Sequence, residues 1–243
     1  CISLLATSLI PSISYGHSIY IQSSRYKVSL GKDTPLFFCY GHHFPVDDGV
    51  RAKKLKFIKI YKPDGDIQDI TIRNEECLHS YMVKYEIPGT YVLAAETNPG
   101  YYTIYIDKQG RKRHTIKPKS SITDKAKEVI KSFYSKQYTK TYVVCEKPST
   151  TFPRHIGLPL ELVPTQGISS LKAGEILELQ VFLDGKPYNG QGVWDASLNG
   201  FSTNAEDNFY TKTKITGNTI QIPIPHPCRW YIRYFIKIEA QGE

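Results

Sequence analysis

Apolar and polar residues alternate with a period of two through most of the chain. Ser18-Ile19-Tyr20-Ile21 and Tyr26-Lys27-Val28-Ser29-Leu30 open the pattern, and Gly31-Lys32-Asp33 turns it. Positions 34–40 form a nearly continuous apolar run, as a buried strand does. Positions 54–61 follow and end at Lys62-Pro63-Asp64-Gly65, with Pro and Gly where a type I or II turn takes them. Further strands are predicted over 67–72, 80–87, 90–96 and 101–106, with Pro88-Gly89 and Asn98-Pro99-Gly100 as turns between them. Short strands at this spacing predict a β-sandwich.

The period changes once. Over 121–137, Ala126, Val129, Ile130, Phe133 and Tyr134 recur at i, i+3, i+4 and i+7, behind Thr123 or Asp124 as a cap, which predicts a helix. A strand over 139–145 and a linker at 148–153 follow. A second β unit then begins at Leu158-Pro159-Leu160-Glu161-Leu162-Val163-Pro164, with Asp184-Gly185 as a hairpin signal. Positions 230–238 alternate clearly, with Trp230, Ile232, Tyr234 and Ile236 on one face. The expectation is an all-β chain of two Ig-like β-sandwich domains joined through a short helix-containing connection. Its parts are a partial signal peptide (1–16), an N-terminal sandwich (17–115), the connection (116–152) and a C-terminal Ig-like domain (153–243).

The first part rests on composition. Positions 1–13, CISLLATSLIPSI, are apolar and uncharged, and the sole Met is Met82. They read as the core of a secretory signal peptide whose basic start is lost, and Ser14-Tyr15-Gly16 gives the small-x-small cleavage pattern. Cleavage after Gly16 leaves His17 at the mature N-terminus and predicts a periplasmic or otherwise exported protein. The last strand ends close to Glu243, so an edge strand closing the second domain is expected beyond it. Cys39, Cys77, Cys145 and Cys228 are an even set that an oxidising compartment could pair, with free buried thiols equally open.

The chain carries 31 basic and 23 acidic residues, net +8. That permits attraction to anionic surfaces. The most basic stretch, 108–121 (KQGRKRHTIKPKSS), lacks interleaved aromatics. It reads as a solvated hairpin and connection, without nucleic acid as partner.

Several stretches together resemble one family. They are Gly16-His17, Tyr40-Gly41-His42-His43-Phe44-Pro45-Val46-Asp47-Asp48, Ala95-Glu96-Thr97-Asn98-Pro99-Gly100-Tyr101-Tyr102, the 157–164 stretch, Leu171-Lys172-Ala173-Gly174, Leu183-Asp184-Gly185-Lys186-Pro187 and Pro225-His226-Pro227-Cys228-Arg229-Trp230. In this order the chain is similar to DUF4198, exported bacterial proteins some of which are described as periplasmic components of cobalt or nickel uptake. The family often has Gly before the Trp, where this chain has Cys228-Arg229. The resemblance implies two β domains, a secreted location and a membrane metal-uptake transporter as partner.

The residues themselves offer three chemistries. A mature His17 presents an α-amine and an imidazole, nitrogen donors suited to nickel, copper, cobalt or zinc, with nickel or cobalt implied by the resemblance. His42 is its expected companion, His43 the reserve, and Asp47 an outer-shell residue orienting an imidazole, with Asp48 beside it. His79, His114, His155 and His226 are isolated. A hydrolase would need paired carboxylates, for which Asp47, Asp48, Glu96 and Glu161 are the candidates. Glu161, flanked by leucines, is instead expected to pair with Arg or Lys across a domain junction, Arg154 for example. No nucleophile motif is present, so an enzyme is not expected. The third reading is a cell-envelope interaction module without metal, binding through loops and edge strands.

Overall fold

The computed structural model describes residues 17–41, 47–151, 155–204 and 207–239. Two hydrophobic cores organise it. The first lobe contains β1 (Ser18–Ser23), β2 (Lys27–Val28), β3 (Asp33–Gly41), β4 (Leu55–Tyr61), β5 (Ile67–Asp69), β6 (Ser80–Lys84) and β7 (Gly89–Thr97). It continues with β8 (Gly100–Asp107), β9 (Lys112–Thr115), β10 (Ala126–Ser135) and β11 (Tyr138–Cys145). One sheet has the order β1-β3-β6 and the other β2-β11-β7-β4-β5. Ile21, Leu36, Phe38 and Val83 of the first meet Ile58, Ile60, Leu93 and Val143 of the second in one core. Strand β7 is buried along its whole length, which is why Tyr91-Val92-Leu93-Ala94-Ala95 reads as an unbroken apolar run.

The second lobe contains β12 (Leu160–Pro164), β13 (Glu175–Leu183), β14 (Lys186–Pro187), β15 (Gln191–Leu198), β16 (Tyr210–Thr216), β17 (Thr219–Ile224) and β18 (Trp230–Phe235). Its sheets are β12-β13-β14, with β17 also on β13, and β16-β15-β18. Leu177, Leu179, Val181, Ile220 and Ile222 from one meet Trp194, Ala196 and Tyr234 from the other. No helix among the described residues is long and apolar enough to cross a membrane.

The expected helix over 121–137 is not there. A 3-10 turn over Lys119–Ser121 leads in, and the Ile122 carbonyl then accepts from the Lys125 and Ala126 amides at 3.0 and 2.8 Å. From Ala126 the segment is strand β10, antiparallel to β8. The ladder shifts register between Ala126 and Glu128 and again between Val129 and Lys131. Each bulge slips the alternation by one residue, so apolar positions on a strand fall three and four apart and imitate a helix. Val129, Ile130, Phe133 and Tyr134 are also residue types that favour strands.

Strands β8 and β10 extend a ladder already present. β7 pairs with β11 from Gly89–Cys145 to Glu96–Tyr138, and β8 pairs with β10 from Gly100–Ser135 onward. Between the two, the Thr97 amide donates to the Gln137 carbonyl at 3.0 Å, and the Gln137 amide to Thr97 Oγ1 at 3.0 Å. The result is one long antiparallel ribbon. Its near half is the middle of the five-stranded sheet. Its far half, joined only by β9, is a separate three-stranded arm.

Candidate functional site

The N-terminal corner holds part of the expected metal set. The pair Ser18–Gly41 ends the β1–β3 ladder and brings His17 beside Tyr40, the two rings edge-on at 5.1 Å. Gln137 fixes this end, accepting from the Ile19 amide at 2.8 Å and donating to the His17 carbonyl at 2.7 Å. Gly41 has φ +145°, and a Cβ there would overlap the Asp47 carboxyl group, so Asp47 closes over the same strand end. Asp48 bridges back to Tyr40 through both backbone hydrogen bonds, 3.2 and 2.8 Å. His17, Asp47 and Asp48 therefore share one corner. His42 and His43 lie outside the described residues. Among the described residues, no group of three His, Cys, Asp or Glu side chains is arranged to hold a metal ion. Cys39, Cys77, Cys145 and Cys228 are all free, and burial pushes the Cys39 thiol up to about 11.

The buried carboxylates have structural partners. Glu96 takes Lys56 Nζ at 2.9 Å. Glu161, 2% exposed, takes Lys140 Nζ at 2.5 Å and the amides of Ile156, Gly157 and Leu158 at 2.9, 3.1 and 3.1 Å. His155 Nε2 lies 3.4 Å from the same carboxylate. Lys140 stands on β11 of the first lobe and Glu161 on β12 of the second, so a cross-junction partner exists. Arg154, the example named from sequence, lies outside the described residues. Burial lowers the Lys140 pKa, and the attraction of Glu161 opposes that shift.

A second lock stands beside it. Arg233 of β18 grips Asp195 of β15 with two bonds of 2.7 Å, and its third nitrogen donates to Ser18 Oγ of β1 at 3.1 Å. Tyr20 meets Tyr231 at 5.6 Å, and Arg229 donates to the Ser24 carbonyl at 2.7 Å. This explains why β1 is buried at all six positions. Ile19 and Ile21 enter the first core, while Ser18 and Tyr20 face the second lobe. Tyr138, on the same seam, is pushed up to about 12, by burial first and then by Glu96 and Asp184.

The arm is the feature that sequence reading missed. Residues 100–137 carry ten lysines and arginines against three acids, a net of +7 in a chain whose total is +8. Among the described residues, only Arg111 and Arg113 of these ten meet an acid, both at Asp107, at 2.9 and 3.2 Å. Bonding from the Arg111 amide, and then from the two guanidinium groups, holds the Asp107 carboxyl down to about 2 against its partial desolvation. The lysines are exposed except Lys131, which is half-buried.

The arm's two faces differ. On one, Thr103 is buried and donates to the Lys117 carbonyl at 2.7 Å, and Ile122 of the 116–125 connection is 3% exposed. On the other lie Tyr102, Ile104, Ile106, Lys112, His114, Glu128, Lys131 and Phe133, none of them buried. Tyr102 stands opposite Phe133 with rings 5.6 Å apart, and His114 adds a third ring 5.8 Å from Tyr102. The stretch 108–121 carries no Phe, Tyr or Trp of its own, as its sequence says. Strands β8 and β10 supply the rings. The signal in the sequence was the paired Tyr101-Tyr102 and Phe133-Tyr134, hidden once the second pair was assigned to a helix.

A family model described as a domain of unknown function, DUF4198, matches residues 14–237, in agreement with the resemblance read from the motifs. No curated protein matches the chain. Among solved structures, a DUF4785 family protein from Legionella pneumophila is 7% identical, with TM-score 0.27, over 88% of this chain and 46% of that one. Escherichia coli alpha-2-macroglobulin activated by porcine elastase is 6% identical, with TM-score 0.26, over 89% and 28%. Bacteroides ovatus SGBP-B, from a mixed-linkage glucan utilization locus and in complex with a mixed-linkage heptasaccharide, is 10% identical, with TM-score 0.20, over 84% and 44%. The chain spans less than half the length of each.

Proposed function

Since the chain belongs to the DUF4198 family, a domain of unknown function, its role is read from its own surface, and we propose that it is an exported, non-catalytic binding module of the cell envelope that holds an anionic partner on the β9-β8-β10 arm. The observation that carries this is the placement of +7 of the chain's +8 charge in residues 100–137, the arm together with its hairpin and the 116–125 connection, where eight lysines lack an acidic partner among the described residues. Such a concentration raises the local density of anions and speeds their encounter. The two buried glutamates, engaged by Lys56 and Lys140, favour a role in structure over acid–base chemistry. The test is titration with polyphosphate at two salt concentrations. Binding should weaken as salt rises. It should be lost in a Lys112→Glu/Lys127→Glu/Lys131→Glu variant. Affinity that survives the reversal overturns the reading.

A second reading, a divalent nickel or cobalt ion held at the N-terminal corner for a membrane uptake transporter, is favoured by one observation. The Ser18–Gly41 register sets His17 at the strand end that leads directly into residue 42, with Asp47 closing the same corner. Nickel titration of protein beginning at His17 tests it. His17→Ala, and extension of the N-terminus by one residue, should each lower affinity by about tenfold or more. Equal affinity in the extended form removes the amine from the site.

A further inference from the structure

We infer that the open face of the arm is a saccharide-binding platform and that the anionic partner is an acidic polysaccharide of the envelope. This rests on the reading of the arm as the binding surface and adds the partner's chemical class.

Cations alone would serve any polyanion. This face has more than cations. Tyr102, His114 and Phe133 come from three different strands, and the Tyr102 ring centroid lies 5.8 Å from that of His114 and 5.6 Å from that of Phe133. Their planes are tilted by only 25° and 38°, so they form one run of rings. Lys131 Nζ lies 5.3 Å from the Phe133 ring centre, and Ile104 lies between Lys131 and His114 in the ladder; exposed Lys112, two residues from His114 on β9, and exposed Glu128 flank Ile106 on the same face, so the cation nearest the rings is Lys131. The other face of the same sheet is partly covered by the 116–125 connection, whereas no residue on this one is buried.

A partner that uses both features needs apolar ring faces and charged edges in one repeating chain. A pyranose presents C–H groups on its faces, which gain dispersion contact with aromatic rings. A uronic acid adds a carboxylate at its edge, within reach of lysines flanking the rings. Single-stranded nucleic acid also has flat faces and charge. The export proposed above favours the polysaccharide over it.

The experiment compares four probes on the whole chain: a polyuronate, neutral dextran, polyphosphate and a single-stranded oligodeoxynucleotide. The ring variant is Tyr102→Leu/Phe133→Leu, which keeps apolar bulk in the sheet while removing the rings, with circular dichroism and thermal melting as the check on folding. The charge variant is the triple reversal given above. The wild type should prefer polyuronate to dextran and to the oligonucleotide. The ring variant should weaken polyuronate binding about tenfold and leave polyphosphate binding within about twofold, while the charge variant weakens both. Unchanged polyuronate affinity in the ring variant overturns this inference and leaves the anion-binding reading standing. Unchanged polyphosphate affinity in the charge variant overturns that reading too. Tighter, ring-dependent binding of the oligonucleotide replaces the polysaccharide with nucleic acid.

Discussion

The seam between the lobes and the arm use charge in opposite ways. At the seam, Glu161 and Asp195 are buried and each is met by a cation, Glu161 by three backbone amides besides, so charge serves to join surfaces. On the arm, Lys112, Lys127 and Lys131 of the strands, Lys108 of the hairpin, Lys117, Lys119 and Lys125 of the connection and Lys136 beyond β10 stand without an acidic partner among the described residues, and the open face of the sheet has no buried residue. A buried ion pair is costly to break and weakly stabilising to make. An exposed cation costs almost nothing to hold and stays available. The difference separates residues that keep the lobes together from residues that meet something else.

The sharpest way to break the comparison is at Glu161. Glu161→Leu strands the Lys140 ammonium and three backbone amides, and should cost about 3–5 kcal/mol in denaturant unfolding. A loss below about 1 kcal/mol would place the seam outside the folded state's main supports. Arg233→Met leaves Asp195 buried and releases Ser18, and is expected to cost about 3 kcal/mol by the same measurement.

A pH titration gives a smaller effect, confined to the arm. The Asp107 carboxyl is held below its ordinary 3.8, at about 2, so its support of the β8–β9 turn is complete above about pH 4. It fades as pH falls through the folded value. Amide exchange at Gln109 and Arg111, which donate to Asp107 at 3.0 and 2.9 Å, should accelerate between those limits while Ile58 and Leu93 stay protected. Uniform acceleration would mean that the arm and the sandwich open together. The smallest stability effect belongs to Lys112→Glu/Lys127→Glu, within about 0.5 kcal/mol of wild type, despite its expected effect on polyanion binding.

Much of the architecture was legible from alternation. Ile19 and Ile21, Leu36 and Phe38, Leu177 and Leu179 all sit in cores where a period of two placed them. The failure was local and has one cause. Two bulges in β10 rewrote a strand's spacing as a helix's, and with it went the sight of a sheet at residues 100–135. The site suffered the same loss. The basic stretch and the rings of Tyr102 and Phe133 are some 10 to 30 residues apart in the chain, and only strand pairing sets them side by side. Glu161 was legible because a carboxylate between two leucines has to find a partner. Its partner was not, since nothing in the sequence ties Lys140 to it ahead of Arg154.

The long ribbon also fixes how a load would travel. Because β8 and β10 are prolongations of β7 and β11, a partner tugging on the far end draws along strands whose near ends are embedded in the first sandwich. The pull runs parallel to those strands, so many cross-ladder hydrogen bonds resist in shear at once rather than opening one after another. Asn98 pins the bend, donating to the carbonyls of Lys53 and Leu55 at 2.9 and 3.2 Å. Tension that passes this pin reaches Gln137, and through it the first residues of β1.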